Sequence, residues 1–79
     1  MINVYIIVTI CSDEYGRQPQ YLMIDDDTSI KLTEYIGEAL QFNQERIAQD
    51  YLLMLDQNKK LNGFNYIRSY KIECHYIKN

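Results

Sequence analysis

The 79 residues of the chain suffice for one domain with a small core, because a domain of this size buries only about 60% of its unfolded surface. The formal charge of -3 at pH 7, without a long lysine or arginine run, gives a field that repels phosphate, so nucleic acid is not an expected partner. The longest apolar run, residues 4–10, is far shorter than the roughly 20 residues that cross a bilayer and follows no basic n-region, so we expect a cytoplasmic protein without membrane insertion.

An alternating pattern at the start of the chain predicts a β-strand with its even positions facing the core. These even positions are Ile2, Val4, Ile6, Val8 and Ile10. Turn-forming residues follow at 12–16, including Gly16, and an extended pattern resumes at residues 20–24. The first two strands are therefore predicted to form a hairpin.

The acidic segment before residue 30 predicts the start of a helix. Asp25, Asp26 and Asp27 precede Thr28 and Ser29, and such side chains favour the exposed amide hydrogens and the positive end of a helix dipole. An apolar stripe with helical spacing follows, formed by Leu32, Tyr35, Ile36, Ala39 and Leu40. We therefore expect a helix over residues 29–42. A calcium site is the alternative for the aspartates, but the sequence lacks the glycine and the distal glutamate of an EF-hand loop.

The second half of the chain is interpreted as further strands. Residues 43–50 are polar apart from Ile47 and are expected to form a loop or a helical turn. Strands are predicted at residues 51–55, 59–61 and 73–78, with the last strand beside the first. This order is that of a β-grasp domain. The expected fold class is α+β, with a mixed sheet of about five strands and one helix packed on one face, in a single domain over residues 1–79.

Two blocks of the chain resemble ubiquitin. Residues 61–72 (LNGFNYIRSYKI) resemble the segment that runs from ubiquitin's fourth strand into a Ser/Asp-Tyr-x-Ile turn. Residues 22–30 resemble, without a gap, its second strand and helix start, with Ser29 as the capping residue. The resemblance implies that the hydroxyl of Tyr70 accepts a backbone N–H near Asn62. The chain departs from ubiquitin in a longer helix region and in a shorter loop before the last strand.

The chain ends at Lys78-Asn79 without the Gly-Gly tail that ubiquitin conjugation requires. The resemblance therefore implies a binding module that is not conjugated. In length and termini the chain is similar to the YukD/EsaB group, which implies a cytoplasmic accessory or regulatory component of a type VII (WXG100) secretion system that binds secretion-machinery components. The alternative is a phage or mobile-element inhibitor or adaptor of a host protein complex, and the neighbouring genes would distinguish the two.

We expect a protein-binding patch on the sheet face that the helix leaves open. The resemblance places Leu55 at the centre of this patch, and its members are Leu53, Leu55, His75, Ile77, Tyr5 and Ile7. Two of these, His75 and Ile77, belong to the patch only if the last strand turns them outward, because a slip of one residue would reverse the strand's facing. The same face is also a candidate interface for a homodimer. Scattered exposed apolar residues without any function are the alternative.

No enzymatic activity, cofactor or metal is expected. Cys74 and His75 are adjacent, and adjacent residues of a strand point to opposite faces, so they cannot act together as nucleophile and base. Neither Cys11 nor Cys74 belongs to a C-x-x-C pair. Both are interpreted as small core residues.

Overall fold

The computed structural model describes residues 2–11, 19–27, 29–61, 63–64 and 67–77. Strands β1 (Ile2–Cys11), β2 (Tyr21–Ile24) and β3 (Ile30–Thr33) are followed by a short 3-10 helix (Ile36–Glu38), helix α1 (Glu45–Gln57) and strand β4 (Ile67–Ile77). The strand order is β3-β2-β1-β4, and every described strand pair is antiparallel. The α+β class is confirmed. In place of the expected mixed sheet of five strands, the described residues form a four-stranded antiparallel sheet.

The first and last strands form the longest ladder of the sheet. Their pairing runs from Ile2 opposite Ile77 to Ile10 opposite Ser69, and after a register shift Cys11 lies opposite Ile67. The expected pairing of the last strand with the first is confirmed as far as residue 77, and the strand begins earlier than predicted. The hairpin of β1 and β2 is also confirmed, with Val8 opposite Tyr21.

The prediction of a helix over residues 29–42 is wrong, because the acidic segment forms a hairpin turn between β2 and β3. The Asp25 N–H donates to the Ser29 carbonyl, and the Ser29 N–H donates to Asp27 Oδ1. Short acidic side chains bind main-chain amides in turns as readily as at helix starts. β-Branched Ile30 and Thr33 then favour the extended strand β3.

The chain after β3 crosses the sheet face that α1 does not cover. Ala39 packs there against Ile6 and Val8. Phe42 then exchanges two backbone hydrogen bonds with Tyr5, so this segment lies beside β1 next to β2. As a result the middle of β1 is buried on both sides, with Ile6 and Val8 on one side and Ile7 and Thr9 on the other. The expectation of an open sheet face is therefore wrong at the centre of the sheet.

The prediction of a strand at residues 51–55 is wrong, because these residues form the second half of α1. Residues 45–57 contain neither glycine nor proline and are rich in strong helix formers. Ala48, Tyr51 and Leu55 follow the helical repeat and face the sheet. Residues 43–50 were expected to form a loop or a helical turn, and residues 45–50 form the first half of α1.

The predicted short strand at residues 59–61 is also wrong, because a helix C-cap occupies this position. The Lys60 N–H donates to the Leu55 carbonyl at 2.9 Å, and the Lys59 N–H donates to the Asp56 carbonyl at 3.0 Å. This pair of bonds is a Schellman motif, and Lys59 adopts its left-handed conformation with φ 57°. The chain therefore leaves α1 in a tight turn.

Helix α1 covers one side of β1 and β4. Ile7, Leu22 and Leu55 form the centre of the core beneath the helix, where Ile72 of β4 packs against them. No helix among the described residues is long and apolar enough to cross a membrane.

Candidate protein-binding groove

A groove of about 500 Å³ lies between the second half of α1 and the first half of β4. Six of the described residues that line it are apolar, and the others include Gln49, Asp56 and Ser69. The apolar side chains that contribute to it are Leu52, Leu53, Leu61, Phe64, Ile67 and Ile72. Tyr70 also lines the groove. This volume is within the range of about 300–1,000 Å³ that is typical of ligand pockets.

The register shift between β1 and β4 brings Ile67 to the groove. Tyr70 and Ile72 point to the helix side of the sheet, because Ile72 lies opposite Ile7 and both pack against the core under α1. In a regular strand Ile67 would point to the other side, since successive side chains alternate. The bulge adds one residue to β4 and so aligns Ile67 with the groove wall.

One carboxylate lines the groove among the described residues. Asp56 lines it near the end of α1, and Gln49 lines it two helical turns earlier. The outer surface of α1 also carries Glu45 and Asp50 against a single cation, Arg46. A groove wall that combines apolar side chains with a carboxylate favours a ligand that combines an apolar group with a positive charge.

Two residues of the expected binding patch lie in the core. Ile7 is 0% exposed and Leu55 is 3% exposed, and the two belong to the same buried cluster. The structure therefore brings them together, but under α1 and not on a surface. Both were expected on an open sheet face, which required residues 51–55 to be a strand. Because residues 51–55 belong to α1, the Leu55 side chain points into the core and not toward a binding surface.

Leu53 is the member of the expected patch that lies at the groove. It is 56% exposed and contributes to the groove wall. In the predicted strand Leu53 and Leu55 would share a face, whereas in α1 they point in nearly opposite directions. Leu53 is therefore accessible, whereas Leu55 belongs to the core.

The remaining members of the patch lie elsewhere. Tyr5 is half-buried opposite Cys74, and its pKa is raised, first because a phenolate would lie beside the Cys74 thiolate and then by desolvation. His75 lies opposite Val4, on the sheet side away from α1. The side chain of Ile77 lies outside the described part of the structure. The patch is thus divided between two sides of the sheet.

His75 belongs to a polar row on β4. Its Nε2 lies 3.1 Å from Glu73 Oε1, and the Lys71 Nζ lies 2.9 Å from Glu73 Oε2. These contacts lower the pKa of Glu73, first through the hydrogen bond from Lys71 and then through the one from His75. A smaller cavity of about 200 Å³ adjoins His75, Ile36 and Tyr76. It has less than half the volume of the groove.

Phe64 is the groove residue that the sequence analysis left without a role. It follows Gly63 in a segment that reads as a loop, and a large apolar residue in such a segment is a signal for a local pocket wall. Tyr70 lines the groove, but Asn62, its expected partner, lies outside the described residues. No cluster of three or more histidine, cysteine or acidic side chains suited to a metal occurs in the described ranges.

Comparison of the chain with family models, with curated proteins and with solved structures found no match. Several residues that carry the resemblance to ubiquitin also lie in a different kind of secondary structure from the one that the resemblance implies. Ser29 and Ile30 belong to the β2–β3 hairpin and do not begin a helix. Leu55 lies in α1 and not on a strand.

Proposed function

We propose that this protein is a protein-interaction module whose groove binds an apolar side chain of a partner with a lysine or arginine beside it. The observation that carries the proposal is the half-exposed Leu53 in the wall of a groove of about 500 Å³, to which five other apolar side chains contribute. An apolar surface that the fold leaves accessible beside a preformed cavity is typical of partner sites.

The size and charge of the groove indicate the kind of partner. Burying one leucine or phenylalanine side chain contributes about 1.5–3 kcal/mol, which is enough to anchor a peptide but not to hold it alone. A basic residue of the partner beside Asp56 would add orientation, because Asp56 is the one charged residue among the described residues that line the groove. The negative net charge of the chain increases the association rate with such a partner.

A random peptide library displayed on phage provides the test. We expect peptides selected on the folded chain to combine leucine or an aromatic residue with a nearby lysine or arginine. The substitution L53D should abolish their binding, because it places a carboxylate in the apolar part of the groove wall. Binding is measured by fluorescence anisotropy of a labelled peptide.

Met54 offers a matched control. It is adjacent to Leu53 on α1, is also exposed and is not part of the groove wall. M54D should therefore retain the affinity of the unchanged chain. Equal affinities of L53D and M54D for the selected peptides, with both variants folded by circular dichroism, would refute the groove as the binding site.

The resemblance adds a cellular context to this proposal. A ubiquitin-like β-grasp protein acting as a cytoplasmic accessory of type VII secretion is one context, and a phage or mobile-element adaptor of a host complex is the other. The adjacent first and last strands and the single helix on one side support the ubiquitin-like fold, whereas the antiparallel direction of β1 and β4 opposes it. Genes for WXG100 proteins beside this one would favour the first context, and prophage genes the second.

A further inference from the structure

The outer edge of β4 is the longest free strand edge in the described part of the sheet. β4 has 11 residues and lies at one end of the strand order, and no described strand pairs with its outer side. The opposite edge strand, β3, has four residues. A long free edge presents a row of main-chain donors and acceptors that another strand can bind.

The hydrogen bonds of β1 show which residues of β4 point these groups outward. The Tyr5 N–H donates to the Phe42 carbonyl at 2.8 Å, and the Tyr5 carbonyl accepts from the Phe42 N–H at 2.9 Å, so Tyr5 directs both groups away from β4. Cys74, opposite Tyr5, is therefore in a pair that exchanges no hydrogen bonds and directs its own groups outward. The direction alternates along the strand. The outward residues of β4 are Tyr70, Ile72, Cys74 and Tyr76.

The side chains of β4 give this edge a charge pattern that is complementary to itself. Lys71 and Glu73 flank Ile72 and share the sheet side away from α1. When two copies of β4 pair antiparallel about a two-fold axis through Ile72, Lys71 of each copy lies opposite Glu73 of the other. These are non-hydrogen-bonded pairs, in which opposing side chains are closest. Moving the axis by one residue in either direction would place like charges opposite each other, which is destabilising.

We propose that the protein forms a symmetric homodimer in which two β4 strands pair at their outer edges about an axis through Ile72. The occupant of the edge is a second copy of this chain, because the order Lys71-Ile72-Glu73 is complementary to itself under two-fold symmetry. The two sheets join into one continuous antiparallel sheet. Both helices then lie on the same side of it, and the two grooves lie beside each other across the axis.

Charge reversal on β4 tests this dimer. K71E and E73K each convert both cross-strand attractions into repulsions, so each variant should raise the dimer dissociation constant by at least about tenfold. An equimolar mixture of K71E and E73K should restore dimerisation, because each chain then faces the opposite charges of the other. Sedimentation velocity of the full chain at several concentrations measures all three samples.

The mixture separates the intermolecular pairs from the ion pair within one chain, since neither variant contains an intact Lys71–Glu73 pair of its own. The matched control is K31E, which makes the same charge change in an ion-paired lysine on the opposite edge strand. It should leave the dissociation constant unchanged. A monomeric unchanged chain, or a dimer that K31E weakens and K71E does not, would overturn the proposal.

The axis is tested by cross-linking. The two Ile72 residues form a hydrogen-bonded pair with their Cα atoms about 5.5 Å apart, a distance that a disulfide can span. I72C in a C74S background should therefore form a covalent dimer on mild oxidation. If the unchanged chain instead cross-links through Cys74 and I72C/C74S does not, the axis lies at residue 74 and the proposed register is wrong. Peptide binding to the groove is not needed for these measurements, so the two proposals can fail separately.

Discussion

Asp25 holds the turn between β2 and β3 by two contacts. Its Oδ1 accepts the Asp26 N–H at 2.9 Å, and its carboxylate pairs with Lys31. The hydrogen bond from Lys31 is the main reason that the pKa of Asp25 is lowered. A carboxylate whose pKa is lower in the folded than in the unfolded chain stabilises the fold above its unfolded pKa of about 3.9, and this contribution is lost as the pH falls through the lower folded value.

We therefore expect D25N to lower the urea midpoint at pH 7 and to have a smaller effect at about pH 3, because Asp25 of the unfolded chain is largely protonated there and the contribution of the folded-state carboxylate is reduced. The asparagine keeps an acceptor for the Asp26 N–H, so the lost contact is the pair with Lys31. D26N is the matched control, because no hydrogen bond of the Asp26 side chain is found among the described residues. A deficit of D25N that is the same at both pH values would contradict this role.

The C-terminal end of α1 carries strain that one substitution can relieve. Lys59 adopts φ 57°, and among the described residues it is the one non-glycine position with positive φ. A left-handed conformation costs a residue with a Cβ about 1–2 kcal/mol, whereas glycine adopts it freely but loses more chain entropy on folding. K59G should therefore stabilise the protein by about 0.5–1 kcal/mol, measured by urea unfolding.

Lys60 provides the control for this prediction. It is the next residue, it is also exposed, and its N–H forms the other bond of the cap. K60G increases the conformational entropy of the unfolded chain as K59G does, but it relieves no strain. It should therefore leave the free energy of unfolding unchanged or lower it. Equal shifts in K59G and K60G would show that Lys59 is not strained in solution.

The elements show what the sequence could reveal and why the rest was hidden. The period of two in β1 and its hairpin with β2 were predictable, because alternation over ten residues has one simple structural reading. Residues 51–55 are five apolar residues in a row, and such a run fits a buried strand as well as the inner face of a helix. A helix is indicated only when residues 51–55 are considered together with the polar residues that precede them.

The groove could be predicted in part. Leu53 was among the expected binding residues, whereas Leu61, Ile67 and Ile72 lie in the block of residues 61–72 that resembles ubiquitin and had no expected binding role. These side chains line one groove because the bulge turns Ile67 toward it and because the helix places Leu53 and Leu55 on different faces. The bulge is a property of strand pairing that no local pattern specifies, whereas the helix is indicated by the local sequence only when residues 43–50 and 51–55 are considered together.

The whole molecule rests on a small core. Ile6, Ile7, Leu22 and Val8 are the largest side chains that are fully buried among the described residues. A domain of this length has a stability of roughly 4–12 kcal/mol, at about 0.05–0.15 kcal/mol per residue. A single cavity beneath α1 therefore removes a large fraction of the total.

Leu53 and Leu55 allow a test of the fold, because they are the same residue type and lie two positions apart on α1. L55A deletes a side chain that is 3% exposed and should lower the free energy of unfolding by about 2–4 kcal/mol through lost burial and a cavity. L53A removes a side chain that is 56% exposed and should change it by less than about 0.5 kcal/mol. Urea unfolding followed by circular dichroism measures both. Comparable losses in the two variants would instead place both leucines on one face, as in a strand, and would exclude α1 as it is described.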